Sequence, residues 1–101
     1  MNTANAMLGG IHLWLKERGI KTTLNLNYER GRACFASAPN ISVVDSRIFL
    51  KIDGQHLYMG RATHDDQGQL IYSKIALLEL SDPAMLDDLE ELLGTHHANT
   101  P

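Results

Sequence analysis

Apolar residues along this chain change their spacing twice, and that change constrains the fold more than any motif. Near the N-terminus they recur every three or four residues, from Ile20 to Leu80 every second residue, and from Met85 onward every three or four again. A period of 3.6 buries one stripe of a helix, and a period of two buries one face of a strand. The expected architecture is therefore α+β: an antiparallel meander sheet of four to five strands, flanked by N-terminal and C-terminal helices. Residues 1–101 are read as a single domain, a usual size for one core.

The first helix is expected over residues 4–18. Met7, Leu8, Ile11, Trp14 and Leu15 share a stripe, Thr3 suits the N-cap, and Gly19 followed by Ile20 is a stop signal. Gly9 and Gly10 conflict with this reading, because each glycine costs a helix about 1 kcal/mol relative to alanine. Either something packs closely against them, or the helix begins near Ile11.

A strand is expected from Ile20 to Tyr28, with Ile20, Thr22, Leu24, Leu26 and Tyr28 on one face. The turn at 29–32 leads to a short strand at 33–37, which Pro39 and Asn40 end. The next strand material runs from Ile41 to Ile52, with Ile48, Leu50 and Ile52 on one face. Asp53-Gly54 signals a hairpin into residues 56–62. Residues 63–68 reverse the chain again, and a long last strand covers residues 69–80. Its alternation blurs after Ile75, which predicts a bend or bulge there.

The C-terminal helix has the sharpest signature. Asp82 caps it, Pro83 takes its first position, and Gly94 is expected to end it. Met85, Leu86, Leu89, Leu92 and Leu93 form the inner stripe, and Asp87, Asp88, Glu90 and Glu91 the outer face. Residues 95–101 read as a frayed tail.

Charge is divided unevenly. Residues 1–61 hold eight of the nine Lys and Arg but four of the twelve Asp and Glu. Glu90 and Glu91 sit where the helix dipole disfavours acids, and no basic residue follows them within the helix. That misfit points to a face kept anionic for a basic partner. A formal charge of −3 makes direct nucleic-acid binding an unfavoured reading; its candidates are Arg30, Arg32, Arg47, Lys51 and Arg61. No apolar run reaches the roughly 20 residues of a membrane span. One cysteine, Cys34, allows no internal disulfide and suggests a reduced, cytoplasmic setting.

Chemistry-bearing clusters are few. His64-Asp65-Asp66 contains metal-ligand residue types, but three consecutive residues converge poorly on one ion, and the pattern suits a polar turn. His96-His97 lacks a third ligand nearby. Cys34 has no adjacent base, and His12 lies beside the apolar stripe of the first helix. No phosphate-binding glycine loop or nucleophile elbow is present. No catalytic residue, metal site or cofactor is expected.

The leading functional expectation is a small non-enzymatic interaction module. It would self-associate, as a homodimer, or dock on a larger partner through Asp87, Asp88, Glu90 and Glu91, with Arg30 and Arg32 as the basic counterpart. The alternative is a small-molecule binder or modest enzyme with a pocket between sheet and first helix. Trp14, Tyr28, Tyr58 and Tyr72 would line that pocket, and His56 or His64 would act as acid or base.

Overall fold

The computed structural model describes residues 3–26 and 39–98. Helix α1 (Thr3–Glu17) is followed by strands β1 (Thr22–Asn25), β2 (Asn40–Val43), β3 (Ile48–Asp53), β4 (His56–His64) and β5 (Leu70–Glu79), and by helix α2 (Met85–Ala98). The strands form one antiparallel sheet in the order β1-β2-β3-β4-β5, a pure meander between two helices. The expected turn at 29–32 and strand at 33–37 lie outside the described residues, as do Tyr28, Arg30, Arg32 and Cys34.

Alternation along β3 and β4 sets the two faces of the sheet. Leu50 opposes Met59 and Ile52 opposes Leu57, while Phe49 opposes Gly60 and Lys51 opposes Tyr58. Cross-strand partners share a face, so Ile48, Leu50, Ile52, Leu57 and Met59 line one side. Onto that side α1 packs Leu8, Ile11 and Leu15, and α2 packs Met85, Leu89 and Leu93. Leu8, Leu15, Leu50, Leu57, Met59 and Leu89 are wholly buried, each stabilising the fold by about 1.5–3 kcal/mol relative to exposure.

The opposite face has its own small apolar centre. The Phe49 ring packs against Tyr58 at 5.9 Å between centroids and edge-on against Tyr72 at 5.6 Å. Gly60 lies beneath these rings, and a Cβ there would fall 2.6 Å from Tyr58 Cε1 and 2.7 Å from Phe49 Cζ. Beside it, the wholly buried Asn40 accepts a hydrogen bond at 2.9 Å from Asn25 Nδ2, which also donates to Ser42 Oγ at 3.1 Å. Asn40 opens β2, and its buried side chain is satisfied by these partners.

The chain from Ile41 to Ile52 forms two strands, not one. Asp45 adopts a left-handed φ of 61°, and Val43 O accepts hydrogen bonds from Ser46 N and Ser46 Oγ. The Asp53-Gly54 hairpin forms with Gly54-Gln55 as its loop, since Asp53 opposes His56. Gly54 has φ 61°, at the position where a type II′ turn takes glycine.

The expected irregularity at Ile75 is present. Met59 opposes Ala76 but Gly60 opposes Lys74, so Ile75 is the extra residue of a β-bulge. Upstream of it Tyr72 and Lys74 share the aromatic face with Ala62 and Gly60. Downstream, Ala76 and Leu78 turn toward the helices, where they pack on the core.

Both helices depart from expectation at their glycines. Helix α1 starts at Thr3 and runs straight through Gly9 and Gly10, yet a Cβ at either glycine would meet no atom within 4 Å. Neither a later start nor close packing explains them. Helix α2 passes through Gly94 and continues to Ala98, so residues 95–98 belong to it and not to a tail. Buried Leu93 anchors this last stretch, and Arg61 Nη2 reaches the His96 carbonyl at 3.5 Å, serving a helix end that lacks its own donors. At the other end the Asp82 carboxylate accepts from Ala84 N at 2.9 Å, as a cap should.

Two glycine substitutions should therefore act in opposite directions. Gly10→Ala is expected to stabilise the fold by about 1 kcal/mol in urea denaturation. Gly60→Ala is expected to destabilise it by about 1–3 kcal/mol, because two packed rings must shift.

Candidate functional site

Among the described residues, two surfaces gather apolar side chains that the core leaves partly open to solvent. The first is a groove of about 330 Å³ lined by Ala6, Met7, Gly10, Ile11, Trp14, Leu80, Met85 and Leu86. Residues 6, 7, 10, 11 and 14 follow the helical spacing of α1, so they form one wall. Met85 and Leu86, from the first turn of α2, form the other, and Leu80 closes the floor just after β5. Every lining side chain is apolar, and Met7 remains 40% exposed.

The rim of this groove is charged. Arg18, one turn beyond Trp14, lays its guanidinium 3.7 Å from the centre of the indole ring and pairs through Nε with Glu90 at 3.6 Å. Both partners are more than a third exposed, so the ion pair is worth at most about 1 kcal/mol. It nonetheless supplies the cation that α2 lacks in its own sequence. Glu90 is thus compensated across the two helices, while Asp87, Asp88 and Glu91 face solvent.

The second surface is the outer edge of β5. This strand is ten residues long and, among the described residues, ends the sheet with β4 as its one strand neighbour. Leu70 is 39% exposed, Ile71 44%, Tyr72 49% and Leu77 41%. The backbone direction of the strand follows from two bonds. Ala62 N donates to Arg47 O, and Asp65 N donates to Gln69 O. Alternation then turns the N–H and C=O groups of Ile71 and Ser73 toward β4, and those of Leu70, Tyr72 and Lys74 away from it.

Of the residues expected to line a sheet–helix pocket, Tyr28 lies outside the described residues and Trp14, Tyr58 and Tyr72 are not brought together. Trp14 lines the groove between α1 and α2, on the helical side of the sheet. Tyr58 opposes Lys51 and Leu77, and Tyr72 opposes Ala62, which places both rings on the aromatic face with Phe49. The sheet itself separates them from Trp14. His56 stands in register between Asp53 and Glu79, and His64 Nδ1 lies 3.3 Å from Arg47 Nη1 at the far end of β4. His12 Nδ1 meets Thr22 Oγ1 at 2.6 Å, tying α1 to β1.

The Asp65 carboxylate accepts from Gln67 N at 2.9 Å and Gln69 N at 2.8 Å, so His64-Asp65-Asp66 belongs to turn chemistry. Among the described residues no group of three His, Cys, Asp or Glu side chains could hold a metal ion, and no helix is long and apolar enough to cross a membrane. The basic candidates do not share one face either. Lys51 lies on the aromatic side, whereas Arg61 opposes Ile48 on the helical side.

No protein-family description, curated protein or solved structure matches this chain. The sequence missed the groove because its walls come from segments about 70 residues apart. The usable signal was Gly9-Gly10, two helix-weakening residues in an otherwise regular apolar stripe.

Proposed function

We propose that this chain is a non-enzymatic protein-interaction module that forms a homodimer by antiparallel pairing of β5 edges. The supporting observation is the first half of β5, where three consecutive large apolar residues, Leu70, Ile71 and Tyr72, are each 39–49% exposed at the end of a sheet. Natural sheets normally blunt such an edge with prolines, repeated charges or a covering element. Here the segment from Leu70 to Lys74 holds one charge, at its end.

Symmetry and face parity select a register. A two-fold axis perpendicular to the sheet pairs a residue with itself, and directly opposed residues must share a face. Placing the axis at Tyr72 pairs Leu70 with Lys74 and Tyr72 with Tyr72, using all three outward-directed backbone positions. Past Lys74 the opposing residue would lie before Leu70, where β5 begins, so the pairing is limited to about five residues. In this arrangement both helical layers lie on one side of a continuous ten-stranded sheet.

The test is molar mass by light scattering across a concentration series, for the natural chain and for the double variant Leu70→Lys with Tyr72→Lys. The natural chain is expected to reach twice its monomer mass at tens of micromolar, and the variant to remain monomeric with an unchanged circular dichroism spectrum. A natural chain that stays monomeric at the highest concentration, or a variant that still dimerises, overturns the reading.

A further inference from the structure

We infer that the groove between α1 and α2 is a docking site for a basic amphipathic helix of another protein. The inference rests on reading the chain as an interaction module, and it does not depend on how β5 pairs.

Its starting point is an unexplained local cost. Gly10 sits in the wall of the groove, where an added Cβ would meet no atom within 4 Å. Alanine would serve the helix better, and nothing among the described residues requires glycine. Ala6 stands one turn earlier on the same wall. Small residues four apart let a second helix bring its backbone close, and the depression between them accepts a large side chain from it. The volume, about 330 Å³, lies in the range of formed binding pockets and can take one or two Leu-sized side chains of a helix laid along the groove.

Charge selects the kind of helix. All eight lining residues are apolar, so the buried side of the occupant is apolar too. The margins are anionic. Glu17 lies three residues beyond Trp14 on the α1 wall, Glu90 one turn beyond Leu86 on the α2 wall, and Asp87 immediately follows Leu86. Against these stand Arg18, already engaged with Glu90, and Lys16 in the last turn of α1. An incoming helix with lysines beside its apolar stripe would meet opposite charge on both walls, whereas an acidic one would be repelled.

Trp14 is the only tryptophan and lines the groove, so the site carries its own reporter. The experiment titrates the protein with a tryptophan-free peptide of about 18 residues, five helical turns, built from Leu and Lys with all Leu on one face. A second peptide replaces every Lys with Glu. The Lys peptide is expected to shift Trp14 fluorescence saturably, with affinity falling as salt rises, and the Glu peptide to leave it unchanged. Gly10→Leu starts from a Cβ that meets no atom within 4 Å, extends its side chain into the groove and keeps every charge. It should raise the thermal midpoint yet weaken Lys-peptide binding by roughly tenfold or more.

Equal binding by natural chain and Gly10→Leu would reduce the interaction to surface charge and overturn the proposal, as would equal response to both peptides. A Gly10→Leu chain that loses self-association while neither peptide binds would assign the groove to a second copy and also overturn it. The Leu70→Lys, Tyr72→Lys variant should bind the Lys peptide as the natural chain does, so failure of the β5 dimer and failure of this site are read separately.

Discussion

The single extra residue at Ile75 is the constraint on which the rest of this structure depends. A regular strand would carry one parity from Leu70 to Glu79 and send Ala76 and Leu78 to the same face as Tyr72 and Lys74. With the bulge, the second half of β5 turns Ala76 and Leu78 toward the core instead. Leu80 then follows into the space between the helices, and the chain enters α2 with Met85 already against the core. The first half keeps its apolar side chains at the end of the sheet. One local irregularity therefore generates both candidate surfaces, the β5 edge upstream and the inter-helix groove downstream.

Glycine serves two different physical ends here. At Gly60 the missing Cβ is filled by the fold itself, because the rings of Phe49 and Tyr58 occupy its place and seal the aromatic face. Phe49 is consequently 3% exposed although it lies on the side without helices. At Gly10 none of the described residues fills the place of the missing Cβ, so the same omission leaves a hollow. The first glycine is accounted for by packing, whereas the second has no internal compensation for the helix stability it gives up.

Charge follows a comparable logic. The acidic excess of α2 is partly met by Arg18, which reaches Glu90 from the end of α1 and rests on Trp14. That contact links the two helices at the edge of the groove, with the cation held by an indole face as well as by a carboxylate. Asp87, Asp88 and Glu91 remain outside this arrangement and give the exterior of α2 its negative field. The division of charge seen along the chain thus becomes, in three dimensions, an anionic border beside an apolar hollow.

Order and type of the elements were legible in the residues, because period and turn chemistry are local properties. The spacing of Leu8, Ile11 and Leu15, the alternation of Ile48, Leu50 and Ile52, the turn at Gly54 and the Asp82 cap each act within a few residues. Even the bulge showed, as a break in alternation at Ile75. What stayed hidden depends on partners distant in the chain. The length of α2 beyond Gly94 follows from Leu93 on the core and Arg61 at the His96 carbonyl, and the burial of Asn40 follows from Asn25. Compensation of Glu90 by Arg18 is of the same kind. Aromatic character alone groups Tyr58 with Trp14 in one pocket, whereas the register puts a sheet between them. Local sequence decides which elements form, since backbone preference and patterning are short-range. Which side chains meet, and which hollows remain, is decided by the packing of segments that the chain order keeps far apart.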